Sequence, residues 1–304
     1  MAELSEERLA PVNGIEIAYQ EVGDPDAEPL LLVMGLGTQM LGWREEFCVQ
    51  LAERGFRVVR FDNRDIGHST MIEEAGVPKQ LDLFLGRGNP AYLLSDMAVD
   101  TIGLMDHLDI ESAHVVGASM GGMIGQTLAI EHPERVRSLV SMMSTTGSRR
   151  VGTPSLKAFA RLLAKTPPGR EAFIERGVKT FKVIGSPAYP MDEPAFREML
   201  GRIYNRSHNP KGVLRQMHAI SASGDRTAAL RKLTLPATVI HGTRDPLVRS
   251  SGGRATARAI PNARLRIIEG MGHDLPPALW PIFIDEIADT AARANRRAPA
   301  TQPA

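Results

Sequence analysis

One cysteine in 304 residues, Cys48, excludes an intrachain disulfide framework and a cysteine-rich metal site. It stands in Trp43-Arg44-Glu45-Glu46-Phe47-Cys48-Val49-Gln50-Leu51, at helical spacing, where a buried, inert thiol is expected. An excess of either charge is equally scarce: 36 Lys and Arg stand against 35 Asp and Glu, a formal net charge of +1. That balance gives no general attraction to nucleic acid or to an acidic membrane surface. Long hydrophobic runs are missing as well. The strongest apolar stretch, 29–34, is strand-sized, far short of the about 20 residues a membrane helix needs. The opening MAELSEERLAPVNG is acidic and holds no apolar segment, so no secretory signal is read there and the expected compartment is the cytoplasm. The eight histidines form no tract, and neither a cofactor nor a metal is expected.

What is present is a globular balance, 43% apolar and 23% charged, in a chain long enough for a full α/β core with an insertion. Ile15, Ile17 and Tyr19 alternate with polar or small residues, a half-buried strand ending at Gly23. Residues 30–34 form a continuous apolar run, the mark of an interior parallel strand buried on both faces. Helix is expected over 43–54, strand over 56–62, helix over 95–108 with Ser95 as its cap, then strand over 114–117. Helix follows over 120–130 and strand over 136–142. This alternation predicts a mostly parallel sheet with helices on both faces. The alternation breaks across 147–227, where helical pieces are separated by prolines and glycines, and it resumes with strands at 237–240 and 265–268 and a helix near 279–292. The expected organisation is a core over 1–146 and 228–297, a helical cap inserted at 147–227, and a disordered tail at 298–304.

The strongest chemical signal is Gly117-Ala118-Ser119-Met120-Gly121. It follows a valine-rich strand and opens a helix, the setting of a nucleophile elbow. A serine in so tight a turn needs Gly117 and Gly121 beside it, because a larger side chain would strike neighbouring backbone. The start of the helix leaves free N–H groups, and that of Met120 is a candidate oxyanion donor.

Serine needs a base to take its proton. His273 lies in Glu269-Gly270-Met271-Gly272-His273-Asp274, on a glycine-flanked loop after the strand at 265–268. Asp245, in His241-Gly242-Thr243-Arg244-Asp245-Pro246, follows another strand and is the candidate to orient the imidazole. The other usual place for the acid, after 136–142, reads Met143-Ser144-Thr145-Thr146-Gly147 and holds no carboxylate. The chain order Ser119, Asp245, His273 fits this reading. Asp274 is expected to be solvated or to cap its own loop. Each candidate falls at the carboxyl end of a predicted strand, where chemistry collects in open α/β sheets.

A second oxyanion donor is expected from Gly35-Leu36-Gly37-Thr38-Gln39: Gly35 lets backbone approach closely and Leu36 N–H donates. The segment lacks the Lys-Ser or Lys-Thr of a phosphate loop and is incomplete as a dinucleotide fingerprint. Asp62-Asn63-Arg64-Asp65-Ile66-Gly67-His68-Ser69 is charged enough to look catalytic, but a structural role is expected, with ion pairs and side-chain caps holding loops under the site. His68 is a spare base that Ser119 does not need. The run 149–182 is rich in Arg and Lys, which reads as a solvated helical face or as a preference for neutral or anionic substrates. Met143, Met191, Met199 and Met217 either line an apolar pocket or fill core.

With these residues in place, the chain resembles the α/β-hydrolase superfamily from about residue 14 to residue 287. Within it the sequence is similar to the aclacinomycin methylesterases, which hydrolyse a methyl ester on an anthracycline polyketide. The resemblance is carried by Leu32-Val33-Met34-Gly35, Gly42-Trp43, Phe61-Asp62 with Arg64-Asp65, Gly67-His68-Ser69-Thr70, the elbow, and Gly270-Met271-Gly272-His273 with Leu275-Pro276. It is weakest over the cap. It implies nucleophile, acid and base at Ser119, Asp245 and His273, and oxyanion donors at Leu36 and Met120. The function so read is a serine carboxylic ester hydrolase working through an acyl-enzyme on small to medium apolar esters. Polyketide methyl esterases, cofactor-free perhydrolases, lactonases, iminopeptidases and C–C bond hydrolases use the same triad, and a ligand-binding protein could use the same scaffold. The sequence leaves a homo-oligomer open.

Overall fold

The computed structural model describes residues 3–164 and 168–296; the expected disordered tail lies outside them. Eight strands form one sheet: β1 (Arg8–Val12), β2 (Ile15–Val22), β3 (Glu28–Val33), β4 (Phe56–Phe61), β5 (Ala113–Ala118), β6 (Val136–Met142), β7 (Ala237–Gly242) and β8 (Arg264–Ile268). Their order is β1-β2-β4-β3-β5-β6-β7-β8. The β1–β2 and β2–β4 pairs are antiparallel and the rest are parallel. The chain leaves β3, turns back to form β4, then crosses to the other side of β3 to form β5. Such a reversal opens a crevice at the strand ends, here between β3 and β5.

Between the strands run α1 (Glu45–Ala52), α2 (Gln80–Leu85), α3 (Leu94–His107) and α4 (Met120–Glu131). After β6 come α5 (Leu156–Leu163), α6 (Arg170–Ile184), α7 (Glu193–Arg206), α8 (Pro210–Ala222) and the short α9 (Thr227–Leu230). Two more, α10 (Ser251–Ala259) and α11 (Trp280–Asn295), flank β8. Helices α5 to α8 are the extra inserted helices that form a cap region on this scaffold.

Strand β3 shows why the sheet is buried on both sides. Leu31 and Val33 join the core under α3 and α4, while Leu30 and Leu32 join the core under α1 and α11. Successive side chains of a strand point to opposite faces, so a four-residue apolar run feeds two cores. Complete burial of each contributes roughly 1.5–3 kcal/mol relative to exposure. The cap has a small core of its own, Ile174, Val178 and Leu200, with Met191 packed against it, whereas Met143 belongs to the main core.

Three sequence expectations change. Strand β1 was not anticipated: only Ala10 and Val12 turn inward, and Pro11 between them is tolerated because the strand lies at the sheet edge. Helix α2 also falls in a stretch read without regular structure. Ser95 does not cap α3; the helix begins at Leu94, and the Asp96 carboxylate accepts the Leu93 N–H at 2.7 Å. Among the described residues, no helix is long and apolar enough to cross a membrane.

Cys48 is fully buried on α1, and burial pushes its thiol up to about 12. The thiolate is the reactive form, so iodoacetamide at mildly alkaline pH should leave the folded protein unmodified and alkylate the urea-unfolded chain once. Stoichiometric alkylation of folded protein would contradict this burial.

Candidate active site

The register of the sheet assembles the site. Val33 of β3 pairs with Gly117 of β5, so Gly35 and Ser119, each two residues further on, emerge side by side. Gly242 of β7 pairs with Ile268 of β8, which brings the loops bearing Asp245 and His273 together.

Ser119 occupies the turn between β5 and α4 with φ 56° and ψ −116°, a sparsely populated conformation for a residue with a side chain. The surroundings hold it there. A Cβ on Gly117 would land on the Gly121 carbonyl, and one on Gly121 would land on the Val33 carbonyl. A Cβ on Gly35 would press on the Ser119 Cβ at 3.1 Å. All three glycines therefore serve close backbone approach. Ser119 N–H donates to Met142 O at 2.9 Å, tying the elbow to β6.

His273 Nε2 lies 3.0 Å from Ser119 Oγ, and His273 Nδ1 lies 2.7 Å from Asp245 Oδ2. The carboxylate only accepts, so Nδ1 carries the proton and Nε2 is left with its lone pair toward the serine hydroxyl. The Asp245 side chain is fully buried, and its Oδ1 accepts the N–H groups of Leu247 and Val248, both at 2.9 Å. Burial alone would raise the Asp245 carboxyl, but the attraction of the His273 and His241 rings, with the hydrogen bond from His273, outweighs it and holds the group well below the usual carboxylate range. His241 Nε2 donates to Val248 O at 2.6 Å and stands 3.4 Å from Asp245 Oδ2, a second histidine on the far side of the acid.

Among the described residues, no acceptor takes the N–H of Leu36 or of Met120. Both follow residues that touch at the strand ends, Gly35 and Ser119.

Asp274 departs from its expected solvated role. It is half-buried and accepts from Ser186 N–H at 3.1 Å and from the Ser186 hydroxyl. Ser186 Oγ in turn accepts Gly272 N–H at 2.8 Å, and His273 N–H donates to Ile184 O at 2.7 Å. The end of α6 is thus latched to the histidine loop.

The charged loop after β4 is structural in its contacts. Asp62 accepts Met40 N–H at 2.7 Å and pairs with Arg206 of α7 at 2.5 Å. Arg64 grips Asp100 of α3 through two bonds of 2.6 Å. Asp65 takes a twofold grip from Arg215 of α8, at 2.8 and 2.5 Å. His68 is no second base here: its ring nitrogens meet Glu7 Oε1 at 2.6 Å and Arg206 O at 2.8 Å. In the basic run, Lys157, Lys179 and Lys182 are exposed, and Lys182 pairs with Glu193.

Sequence reasoning missed the cap's share in the site. Gln216 of α8, Ser186 and the Ile184 carbonyl all reach the strand-end loops, and none belongs to a motif.

Known proteins resemble this chain in sequence and in fold. The chain is 30% identical to the rhodomycin D methylesterase DauP of Streptomyces sp. (strain C5), over 90% of this chain and 93% of that protein. It is 25% identical to 3-oxoadipate enol-lactonase 2 of Acinetobacter baylyi, over 84% of this chain and 85% of that one. The crystal structure of the enol-lactonase from Burkholderia xenovorans LB400 superposes with a TM-score of 0.73 at 25% identity, covering 94% of this chain and all of that chain. The sequence profile of the α/β hydrolase fold matches residues 28–276, from the start of β3 to just past His273. With that span matched and the strand order and elbow in place, this chain belongs to the α/β-hydrolase fold family.

Proposed function

We propose that the chain is a carboxylic ester hydrolase in which Ser119 is the nucleophile, His273 the general base and acid, and Asp245 the group that orients the imidazole and stabilises its positive charge. The observation that carries this reading is the continuous chain of short contacts, Ser119 Oγ to His273 Nε2 at 3.0 Å and His273 Nδ1 to Asp245 Oδ2 at 2.7 Å. His273 takes the hydroxyl proton as Ser119 Oγ attacks the ester carbonyl. The N–H groups of Leu36 and Met120 receive the oxyanion. His273 then protonates the departing alcohol, and a water activated by the same nitrogen releases the acid from the acyl-enzyme. Small to medium apolar esters are the substrates of this reading, with residues 147–227 as the cap that shapes the pocket. The cytoplasm is its place, in keeping with a single unpaired, buried cysteine.

A second reading, hydrolysis of a methyl ester on a polyketide, is favoured by the 30% identity to a rhodomycin D methylesterase over nine-tenths of the chain. Turnover of p-nitrophenyl esters from acetate to dodecanoate tests the first reading. Hydrolysis of the short esters, falling at a chain length set by the pocket, is the expected result. Folded protein inert on the whole series but active on a methyl ester of an anthracycline would favour the second.

A further inference from the structure

Residues 35–38 form a tight turn. Thr38 N–H donates to Gly35 O at 3.2 Å, and Gly37, at the third position, has φ 66°. Leu36 is not in the positive-φ region, so this is the type II arrangement. Each peptide of the turn has a task. In the Gly35–Leu36 peptide, C=O and N–H point in opposite directions because the unit is planar and trans. The turn bond draws Gly35 O inward and so directs Leu36 N–H outward, away from the turn. In the next peptide, Gly37 N–H donates to Gln216 Oε1 at 2.9 Å.

That acceptor decides between two backbone states. Types I and II differ mainly by a flip of the central peptide, and glycine at the third position tolerates either. Gln216 Oε1 rewards only the state in which Gly37 N–H faces α8. The amide itself has little freedom. Gln216 is fully buried, its Nε2 donates to Arg64 O at 2.9 Å, and neighbouring Arg215 is fixed on Asp65. Val213, one helical turn earlier, stands where a Cβ on Gly37 would meet its methyl groups at 3.1 and 3.2 Å.

We propose that Gln216 is a positioning residue for the oxyanion hole: from the cap it anchors the 35–38 turn through Gly37 N–H and so holds that turn, and Leu36 N–H with it, in place for the oxyanion formed on attack by Ser119. The inference rests on the assignment of Leu36 as a donor under the proposed function. Its consequence is that a displacement of Gln216 large enough to break its bond to Gly37 acts on the chemical step as well as on substrate entry.

The test compares wild type with Gln216→Met, Gln216→Asn and Gln216→Glu. Methionine removes the acceptor at equal length, asparagine keeps a buried amide but withdraws it by one methylene, and glutamate keeps an oxygen within reach of Gly37. Three quantities are read: kcat and KM on p-nitrophenyl butyrate, the inhibition constant of an alkyl trifluoromethyl ketone, and the melting temperature. The ketone forms a tetrahedral adduct whose oxyanion occupies the hole. Expected for the Met and Asn variants is a fall in kcat of about 10- to 100-fold, a matching loss of ketone affinity and little change in KM, with Glu recovering part of both. Asn209→Ala is the structural control. It removes the α8 cap and the contact with Asp65 O without touching the turn, and should lower the melting temperature with ketone affinity unchanged. Wild-type ketone affinity and kcat in both Met and Asn variants would overturn the proposal. Failure of the underlying reading would look different, as wild-type protein lacking Ser119-dependent turnover and ketone inhibition altogether. If the Met variant does not fold, the Asn and Glu variants decide.

Discussion

Ser119→Ala should lower kcat on p-nitrophenyl butyrate by about 10⁴- to 10⁶-fold, with the melting temperature close to that of wild type. The size follows from what the hydroxyl does. Without Oγ no acyl-enzyme forms, and His273 has nothing to activate but water held in a place built for a covalent bond. The remaining rate comes from binding and the oxyanion donors, which still act on a hydrolysis that skips the covalent step. The fold should tolerate the change because, among the described residues, Ser119 Oγ hydrogen-bonds to the His273 ring alone, while its backbone is pinned by Met142 O and by close approach at Gly35. A fluorophosphonate probe should label the wild type at one serine and leave the variant unlabelled. A variant that retains more than about a thousandth of the wild-type rate, or that still takes up the probe, would remove Ser119 from the mechanism.

The largest effect on stability is expected at Arg215. The Asp65 side chain is fully buried, accepts from Tyr92 OH at 2.7 Å and from Ile72 N–H at 2.9 Å, and is neutralised by Arg215. Arg215 is buried as well and also donates to Gly76 O at 2.8 Å. Arg215→Met strands the carboxylate in the interior, and breaking a buried pair in this way costs about 3–5 kcal/mol. Against a total stability of roughly 5–15 kcal/mol, that is a shift of the urea midpoint large enough to read directly. The double variant Asp65→Asn, Arg215→Met should be more stable than Arg215→Met, because the uncompensated charge is gone. If the single variant matched the wild type in midpoint at an unchanged slope, Asp65 would have another source of neutralisation and the pair would be incidental.

Much of this site was legible from the chain because its parts are local. Ser119 and Asp245 each follow a fully buried strand, His273 follows the short edge strand β8, and a strand buried on both faces announces itself as a continuous run, as Leu30 to Val33 does. Gly117 and Gly121 flank the serine for a steric reason that operates within five residues. What stayed hidden is non-local. Gln216 lies 179 residues from Gly37 and 152 from Arg64 in sequence, and on an amphipathic helix it reads as one more polar residue. Asp274 was expected to serve its own loop; its partner Ser186 is 88 residues away across the cap. The loop after β4 was read as structural, but the identity of its partners, Arg206 and Arg215, depends on how α7 and α8 settle, which no periodicity reveals. Strand β1 escaped because a proline and charged neighbours interrupt its alternation, and an edge position excuses both.

The latch at the end of α6 bears on how this protein could be recombined. The insertion enters after β6 and leaves before β7, which suggests that a cap from a relative could be exchanged at those two joints to change substrate range. The cap is not a neutral lid, however. It supplies the Ile184 carbonyl to His273 N–H, the Ser186 hydroxyl to Gly272 and Asp274, and the Gln216 amide to Gly37. A transplanted cap that matches the joints but lacks acceptors at these three places would arrive with its own pocket and loosen the machinery beneath it.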